Sequence, residues 1–363
     1  MKDEQMSRRA FVAGTAATAV GLSSLGAARA EGPDATLATG KILNYNENME
    51  YRRCGKTNLM ISAVGLGGHW KRINVAIGAA DVSGDRDILE MPEFIKNRHD
   101  VVSRCIDAGI NYIDACSGRE VLAYTRALKG RRDKVYLGYS WYEKEPRFEG
   151  WRTTEKLMQS FDEGLREAKL EYVDLWRMSV FLNGSAHPPR EVEAIITALE
   201  KGKKQGKARF TGIATHDRGW AKMMVESYPE QIDVLHTPYT ADTKMLPQNS
   251  LFDAVKRHDV GVIGIKPFAN NSLFEGDSSP GSPHAEDDNR RARLAIRYVL
   301  NNPAITAPIP GLITVEQVDN VVKAVCERRE LDLKETAELG TAAKKMWARL
   351  PEDYHWLKSW EYA

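Results

Sequence analysis

The sequence predicts an α/β protein whose main part is a single (β/α)8 TIM barrel, with a β-hairpin before it and a helix after it. Eight short apolar segments rich in β-branched residues alternate with segments of helical periodicity in one continuous region. At 363 residues the chain is long enough for one large barrel or for two ordinary domains. An open doubly wound sheet is the alternative, but such a sheet rarely carries eight consecutive units.

Charge and cysteine spacing narrow the class of protein. Lysine and arginine (51) nearly balance aspartate and glutamate (50), so nothing indicates a nucleic-acid or anionic-membrane partner. The four cysteines, Cys54, Cys105, Cys116 and Cys326, are scattered without zinc-ligand spacing. A disulfide between Cys105 and Cys116 is not expected, because the length of a strand, about 16 Å, separates their levels in a barrel.

Residues 1–30 are interpreted as an export signal. Paired arginines with a phenylalanine two positions on, within 7–12, precede an apolar run over 13–27. Residues 28–30 have the small-x-small pattern of a cleavage site, and the arginine pair is typical of a twin-arginine signal. We therefore expect cleavage after Ala30, a periplasmic mature protein exported in the folded state, and no stable membrane span after cleavage. A retained N-terminal anchor is the alternative.

After the signal we predict a linker, a hairpin and then the barrel. Residues 31–48 are polar and glycine-rich, as linkers are. Short strands over 51–54 and 59–62 flank a turn and predict the hairpin. The barrel is expected over 49–330. Its strands begin near Ser62, Ile110, Lys134, Tyr172, Arg209, Ile232, Val260 and Thr306.

Helical periodicity fills the gaps between these strands. The clearest helix is predicted over 155–168, with Thr154 as its N-cap, and another over 287–300. Long loops over 69–92 and 270–286 follow strand ends, where the loops of a barrel cover the active site.

The C-terminal segment, 331–363, is predicted to contain a helix over 334–350 and an aromatic tail. We expect this segment to pack on the barrel. Contact of the tail or the long loops with a protein partner is the alternative.

Asp114 lies where the second predicted barrel strand ends. Ile110, Tyr112 and Ile113 predict that strand, and Gly109 is typical of the cap of a preceding helix. A carboxylate at the carboxyl end of a parallel strand lies where α/β proteins place their chemistry. An ordinary helix-capping aspartate is the alternative.

A second candidate site precedes the last helix of the barrel. Gly311 would let the backbone approach a phosphate, and the helix that begins near Thr314 offers free N–H groups. Gln317 and Asn320 lie three apart on one helical face, where they could bond an adenine. An ordinary capped helix is the alternative.

Four segments carry a resemblance to a known family. They are 49–58 with 65–68, 107–114, 210–217, and 309–312 with Gln317 and Asn320. In this order they resemble the motifs of the aldo-keto reductase family. The resemblance implies a (β/α)8 barrel that binds NADP or NAD and acts as an oxidoreductase on a small molecule.

The resemblance also implies cofactor-binding residues at strand ends. Thr215 and His216 stand where the family holds the nicotinamide amide. His236 and Tyr239 end the next strand, where the family places cofactor contacts. Lys266 would meet a cofactor phosphate or reach solvent.

The resemblance implies a catalytic group of aspartate, tyrosine, lysine and histidine, of which one member remains. Asp114 stands at the aspartate's position, whereas Arg119, Ser140 and Ser179 replace the other three. A neutral serine cannot supply the charge that lowers a tyrosine's pKa, so ordinary carbonyl reduction is not expected. Arg119, if it points inward, would pair with Asp114 and act as a fixed cation that holds an anion or polarises an oxygen.

Other polar residues gather at the same predicted rim. His69, Cys116 and Asp114, with His216 and His236, could bind a transition metal. Because the family already uses the positions of His216 and His236 for the cofactor, no metal is assigned.

The sequence thus predicts an exported NAD(P)-linked oxidoreductase acting on a small polar carbonyl or alcohol through a remodelled site. Asp114 and Arg119 are its expected catalytic residues, and His69, Ser140 and Ser179 lie near the substrate. One alternative is an inactive barrel that serves as a binding or accessory subunit. The other is a metal-binding protein that uses the histidines and the cysteine of the rim.

Overall fold

The computed structural model of the chain describes residues 42–79, 86–180, 187–243, 246, 248–279 and 281–359. The predicted signal peptide over 1–30 and the first part of the predicted linker lie outside these residues. Within them, no helix combines the length and the apolarity that crossing a membrane requires.

A seven-stranded parallel sheet forms the body of the fold, and each strand pairs with the next in chain order. Each strand starts within two residues of its predicted position, because a short, mostly apolar run that is buried on both faces marks most of these strands in the sequence. The strands are Tyr112–Ala115 (β3), Tyr136–Tyr139 (β4), Val173–Ser179 (β5), Ala208–Ala214 (β6), Val234–Pro238 (β7), Gly261–Ile265 (β8) and Ala307–Pro308 (β9).

Helices alternate with these strands, and the apolar faces of the helices pack with the strands in one large core. The predicted helix over 155–168 forms, but its N-cap is Thr153, whose hydroxyl accepts a hydrogen bond from the Lys156 N–H (3.3 Å). The helices are Ile73–Ile77 (α1), Pro92–Asp107 (α2), Gly118–Ala127 (α3), Thr154–Glu167 (α4), Pro189–Lys204 (α5), Arg218–Ser227 (α6), Leu251–Arg257 (α7), Ala285–Leu300 (α8), Val315–Cys326 (α9) and Leu333–Arg349 (α10).

The predicted hairpin is present as β1, Tyr51–Arg53, and β2, Met60–Ser62, which pair antiparallel. Leu59 and Ile61 from the hairpin are buried in a cluster with residues near the starts of the sheet strands, such as Tyr112. The hairpin therefore covers the amino ends of the strands and leaves their carboxyl ends for ligands.

The segment between the hairpin and α1 hydrogen-bonds to both edge strands of the sheet. The Leu66 N–H donates to the Tyr112 carbonyl of β3 (3.0 Å), and the Gly65 N–H donates to the Pro308 carbonyl of β9 (3.0 Å). Leu66 also forms a parallel bridge with Ile113. Glycine is required at Gly67, because an added Cβ there would lie 2.3 Å from a backbone carbonyl oxygen.

Residues 43–48 are packed on the fold, whereas the sequence predicted a linker up to residue 48. The Asn44 and Asn46 side-chain amides donate to the Ile106 and Asp107 carbonyls at the end of α2 (2.7 and 3.1 Å). Capping of these α2 carbonyls by asparagine explains why a polar stretch is ordered here. The packed body therefore begins before Met49.

The C-terminal helix α10 packs through buried apolar residues, among them Leu339 and Met346, on Leu273 and Leu294. Its first turn is held by the buried Arg297 of α8, whose guanidinium bonds the Glu335 carboxylate at 2.9 and 3.0 Å. The residues after α10 continue as a short 3-10 helix over Glu352–Ser359.

Candidate active site

A cavity of about 1300 Å³ opens at the carboxyl ends of the sheet strands. Asp114 of β3, Ser179 of β5, Ala214 of β6 and Ile265 of β8 all line it. Residues at four strand ends thus converge on one space, as in barrel enzymes.

Asp114 is the centre of a buried ion pair at this cavity. Its carboxylate lies 2.5 Å from Nη2 and 3.3 Å from Nε of Arg177, so the contact is bidentate. The Tyr112 hydroxyl donates to the same carboxylate (2.8 Å), and Nε2 of His236 lies 3.0 Å from it. Only 3% of the Asp114 side chain and 4% of the Arg177 side chain are exposed.

The cation that pairs with Asp114 is therefore Arg177, and the predicted pairing with Arg119 is corrected. Arg177 precedes Ser179 by two residues on β5, so both side chains point to the same face of the strand. An arginine at this spacing within a buried strand was the signal that sequence reasoning missed. Arg119 lies in the first turn of α3 and lines the same cavity.

The protonation states of Asp114 and His236 follow from their surroundings. Burial alone would raise the pKa of Asp114, but Arg177 and His236 outweigh that effect and hold the pKa below its usual range. Burial lowers the pKa of His236, so its ring is neutral at neutral pH. A carboxylate and a guanidinium, both fixed, thus form one wall of the cavity.

Ser179 and Ser140 extend this network to a buried carboxyl that the sequence analysis missed. Nη1 of Arg177 donates to the Ser179 hydroxyl (3.1 Å), which lies 3.1 Å from the Ser140 hydroxyl. The Ser140 hydroxyl donates to Glu145 (2.5 Å), whose pKa is raised to about 7 by burial. A continuous hydrogen-bond chain therefore runs from Asp114 to Glu145. Ser179 lines the cavity, whereas Ser140 and Glu145 lie behind it.

His69 and Cys116 meet at the mouth of the cavity, together with Glu120 of α3. Nδ1 of His69 lies 2.7 Å from Oε1 of Glu120, and Nε2 lies 3.5 Å from Sγ of Cys116. Cys116 and Glu120 raise the pKa of His69 to about 10. About half of this side chain is exposed, so water screens part of the effect. Glu120 was not predicted, because its role depends on the helix start that turns it back toward His69.

These three side chains are of the kinds that ligate transition metals, and one ligand atom from each lies within 4.8 Å of the others. Both Glu120 oxygens, however, already accept backbone hydrogen bonds, one from His69 (2.6 Å) and one from Cys116 (2.8 Å). The arrangement therefore favours a hydrogen-bonded triad over a metal centre. The assignment of no metal stays a prediction.

Among the predicted cofactor residues, Thr215, His216, Lys266 and Gly311 line the cavity. An added Cβ on Gly311 would lie 2.3 Å from the Gly68 carbonyl oxygen, so glycine here permits close contact between two loops of the cavity wall.

The remaining predicted cofactor residues do not line the cavity. His236 is buried against Asp114, and the ring of Tyr239 packs on Phe252 and Tyr298 instead.

The two residues expected to bond an adenine are engaged within the protein. The Gln317 side-chain oxygen accepts a hydrogen bond from the Ile313 N–H (2.9 Å), which caps the start of α9. The Asn320 amide donates to the Asn289 carbonyl (2.9 Å), and its oxygen accepts from Arg293 (2.7 Å). These bonds favour the capped-helix alternative for both residues.

The C-terminal tail contributes to the cavity wall. Trp356 stacks on His216, with ring centroids 3.9 Å apart, and also lines the cavity. The Lys266 ammonium lies 5.1 Å from the centroid of the Tyr354 ring. Within the described part of the chain this ammonium forms no ion pair, and burial lowers its pKa to about 8. An unmatched cation facing the cavity fits an anionic group such as a phosphate.

Comparison with known proteins agrees with this architecture. Residues 75–293 match the model of the family described as "Aldo/keto reductase family". An L-galactose dehydrogenase from Arabidopsis thaliana is 26% identical over 310 residues, which cover 78% of this chain and 91% of that protein. An L-glyceraldehyde 3-phosphate reductase from Escherichia coli O157:H7 is 24% identical over 326 residues, or 76% and 88% of the two chains.

Solved structures show the same fold. An aldo-keto reductase from Klebsiella pneumoniae in complex with NADPH superposes with a TM-score of 0.58 at 19% identity, covering 81% of this chain and 94% of its own. The holo form of an aldo-keto reductase from Bacillus halodurans superposes with a TM-score of 0.57 at 21% identity, covering 84% and 99%.

Proposed function

The chain belongs to the aldo/keto reductase family, and from that premise we propose that it acts on a small polar carbonyl or alcohol through a remodelled active site. Enzymes of this family are NAD(P)-dependent oxidoreductases, and NADP is the cofactor that agrees with its structural neighbours. The remodelling concerns the groups that handle the proton and the substrate.

The buried ion pair of Asp114 and Arg177 carries this proposal. Burying two charges is costly, and a barrel that served only as a scaffold would be no less stable with apolar residues there. The pair instead lies at the wall of a cavity large enough for a dinucleotide and a small substrate.

The residues at the cavity fit a nicotinamide dinucleotide. The unmatched ammonium of Lys266 would hold a phosphate, and the loop at Gly311 would contribute backbone contacts. Thr215 would contact the nicotinamide end. When bound, the cofactor supplies or accepts the hydride.

The chain's own residues would bind the substrate and move its proton. Arg119, a fixed cation at the cavity, would hold the oxygen of the carbonyl or a neighbouring anionic group. Cys116 and Glu120 raise the pKa of His69, which favours the protonated ring, and a protonated ring would give a proton to the carbonyl oxygen as negative charge develops there. This would replace the family's tyrosine, lysine and histidine, whose positions Arg119, Ser140 and Ser179 occupy.

The names of two relatives indicate the substrate class to test first. One is a dehydrogenase of L-galactose and the other a reductase of L-glyceraldehyde 3-phosphate. Both names describe small, hydroxylated carbonyl or alcohol compounds. Arginine and lysine at the cavity would suit hydroxyl or phosphate groups on such a substrate.

We further propose that residues 63–67 act as the eighth strand and close the sheet into a barrel. Their hydrogen bonds to both β3 and β9 support this closure. A closed barrel would bring all strand ends around one cavity.

Export to the periplasm by the twin-arginine route is also part of the proposal. It rests on the paired arginines and the cleavage pattern within residues 1–30. Because that route carries folded proteins, the cofactor would be loaded before export.

An inactive barrel that serves as a binding or accessory subunit is the second candidate. It is favoured by the replacement of three catalytic positions by Arg119, Ser140 and Ser179. Mass spectrometry of the supernatant from the denatured mature protein, with titration of added NADPH, separates the candidates. Retained or tightly bound nucleotide supports the oxidoreductase. A protein that neither carries nor binds it, and that purifies with a partner, supports the accessory subunit.

A further inference from the structure

Glu145 is a buried carboxyl that is connected to the cavity through two serine hydroxyls. Its Oε2 lies 2.5 Å from the Ser140 hydroxyl, which in turn lies 3.1 Å from the Ser179 hydroxyl. Ser179 lines the cavity, whereas Ser140 is fully buried and only 2% of Glu145 is exposed. Glu145 can therefore influence a bound substrate without touching it.

The backbone holds the Glu145 carboxyl in place for this contact. The Trp141 N–H donates to Oε1 (2.9 Å), and the Ser179 N–H donates to Oε2 (2.7 Å). A carboxyl oxygen has more than one lone-pair site, so Oε2 can accept the Ser179 N–H and still share a hydrogen bond with Ser140. Both backbone bonds can form in either protonation state of Glu145. A change of protonation therefore acts on the bond to Ser140.

The hydroxyl of Ser179 has one hydrogen to donate and two lone pairs to offer. Nη1 of Arg177 is a fixed donor and occupies one lone pair at 3.1 Å. Within the described part of the chain, the other polar contact of this hydroxyl is Ser140. The direction of the bond between the two serines therefore decides whether Ser179 turns its hydrogen or a lone pair toward the cavity.

The protonation state of Glu145 sets that direction. An ionised carboxylate has no hydrogen, so the Ser140 hydroxyl donates to Glu145 and accepts from Ser179, which then presents a lone pair to the cavity. A protonated carboxyl donates to Ser140, and Ser140 donates to Ser179. Both lone pairs of Ser179 are then occupied, and its hydrogen points into the cavity.

The groups that face Glu145 allow both forms around neutral pH. Burial raises the pKa of Glu145 to about 7, although the Ser140 hydroxyl, two backbone N–H groups and the cation Arg177 act in the opposite direction. Tyr139 of β4 is neutral, because burial and the Glu145 carboxylate raise its pKa. Lys144, the preceding residue on the same loop, is paired with a glutamate of α4 (3.1 Å). Changes of pH around neutrality therefore change the protonation of Glu145.

We propose that Glu145 is a positioning residue that decides, through Ser140, whether Ser179 donates a hydrogen bond to the substrate or accepts one. A carbonyl oxygen only accepts, so it pairs best with the site in which Glu145 is protonated. An alcohol both donates and accepts, so it fits either form. Glu145 thus favours the carbonyl over the alcohol when protonated and loses that preference when ionised. The inference rests on the proposed function, since its ligand is the carbonyl or alcohol of that proposal.

The test compares the binding of dihydroxyacetone and glycerol, which differ in one carbonyl group. The dissociation constant of each is measured by ligand-observed NMR at about pH 5 and at about pH 9, on either side of neutrality. The purified chain is used without added nucleotide, so that neither probe is converted. We expect the affinity for dihydroxyacetone relative to glycerol to fall about fivefold as pH rises, which is the contribution of one neutral hydrogen bond.

Ser140→Ala cuts the connection and leaves Glu145 in place, so the relative affinity should not change with pH in this variant. Lys266 and His69 also line the cavity and titrate, and both remain in it, so an effect of theirs would persist there. Ser160→Ala is the matched control. It removes a buried hydroxyl of α4 that does not line the cavity, and the wild-type pH dependence should remain.

Infrared spectroscopy follows the carboxyl itself. The wild type and Ser140→Ala should both show a protonated carboxylic acid that ionises within the same pH interval, and this signal should be absent from Glu145→Gln. The signal in Ser140→Ala would also show that Glu145 remains buried in the folded variant. Glu145→Gln should bind the two probes with a relative affinity that does not depend on pH.

A relative affinity that does not change with pH in the wild type, or a wild type that binds neither probe, would overturn the proposal. So would an unchanged pH dependence in Ser140→Ala. NADPH binding, measured separately, tests the proposed function: the expected pH dependence in a chain that binds no NADPH would sink the oxidoreductase and leave the role of Glu145.

Discussion

Asp114→Asn tests the interaction around which the site is built. The substitution keeps the shape of the side chain and removes its charge. Arg177 would then be a buried cation whose remaining described partners, the new amide oxygen and the Ser179 hydroxyl, are both neutral. His236 would lose the carboxylate that its ring contacts.

The structure sets the expected size of the effect. Breaking a buried ion pair by removing one partner costs about 3–5 kcal/mol, and an asparagine that still accepts one bond places this case near the lower limit, about 3 kcal/mol. Domains of 150–250 residues lose about 2–4 °C in Tm per kcal/mol. Because this chain is longer, the lower end of that range applies, and a loss of about 3 kcal/mol should lower Tm by roughly 6 °C.

The assay is urea unfolding of the wild type, Asp114→Asn, Arg177→Met and the double variant. The double variant should be more stable than the sum of the two losses predicts, because no charge is left unpaired. The pKa of Asp114 is depressed in the folded state, so its stabilisation is present above the unfolded value of about 3.9 and is lost as pH falls through the folded value. If Asp114→Asn lowered the free energy of unfolding by less than about 1 kcal/mol at neutral pH, or if the two losses simply added in the double variant, Asp114 and Arg177 would not form a stabilising buried ion pair.

Three further predictions concern other parts of the fold. Burial raises the pKa of Glu145 from 4.5 to about 7, so wild-type stability should fall as pH rises across that interval. Urea titrations of Glu145→Gln should show no such decline. In the wild type the free energy of unfolding should fall by about 3 kcal/mol over that interval. Arg297→Met should cost about 3 kcal/mol and speed amide exchange in α10, whereas Arg290→Met, which breaks a half-exposed pair with Glu338, should cost under about 1 kcal/mol. Gly311→Ala should cost about 1–3 kcal/mol and weaken NADPH binding by calorimetry, whereas Gly281→Ala, with open space around it, should do neither.

The positions of the sheet strands and of the helices between them could be predicted because each depends on local pattern. Buried strands such as β3 and β5 are short apolar runs between helix caps and turns, and their order along the chain gives the order in the sheet. The packed stretch over residues 43–48 was missed because it is polar, and its order comes from bonds to a distant helix end.

The centre of the site was predictable only in part. Asp114 could be found from its place at a strand end, but the choice of its partner depended on which arginine faces inward. Arg119 is closer in sequence, whereas Arg177 lies beside Asp114 only because β4 pairs in register with β3 on one side and with β5 on the other. Glu120 was missed for the same kind of reason, since its carboxylate reaches His69 across a distance in the chain that local pattern does not encode.

The most direct test of the remodelled site is aldehyde-dependent oxidation of NADPH by the mature protein, followed by fluorescence with a panel of small hydroxylated aldehydes. We predict turnover with at least one member of the panel, loss of that turnover in Asp114→Asn, and retained NADPH binding in the same variant. Turnover that is unchanged in Asp114→Asn, or a protein that binds NADPH but oxidises it with no aldehyde of the panel, would contradict this prediction.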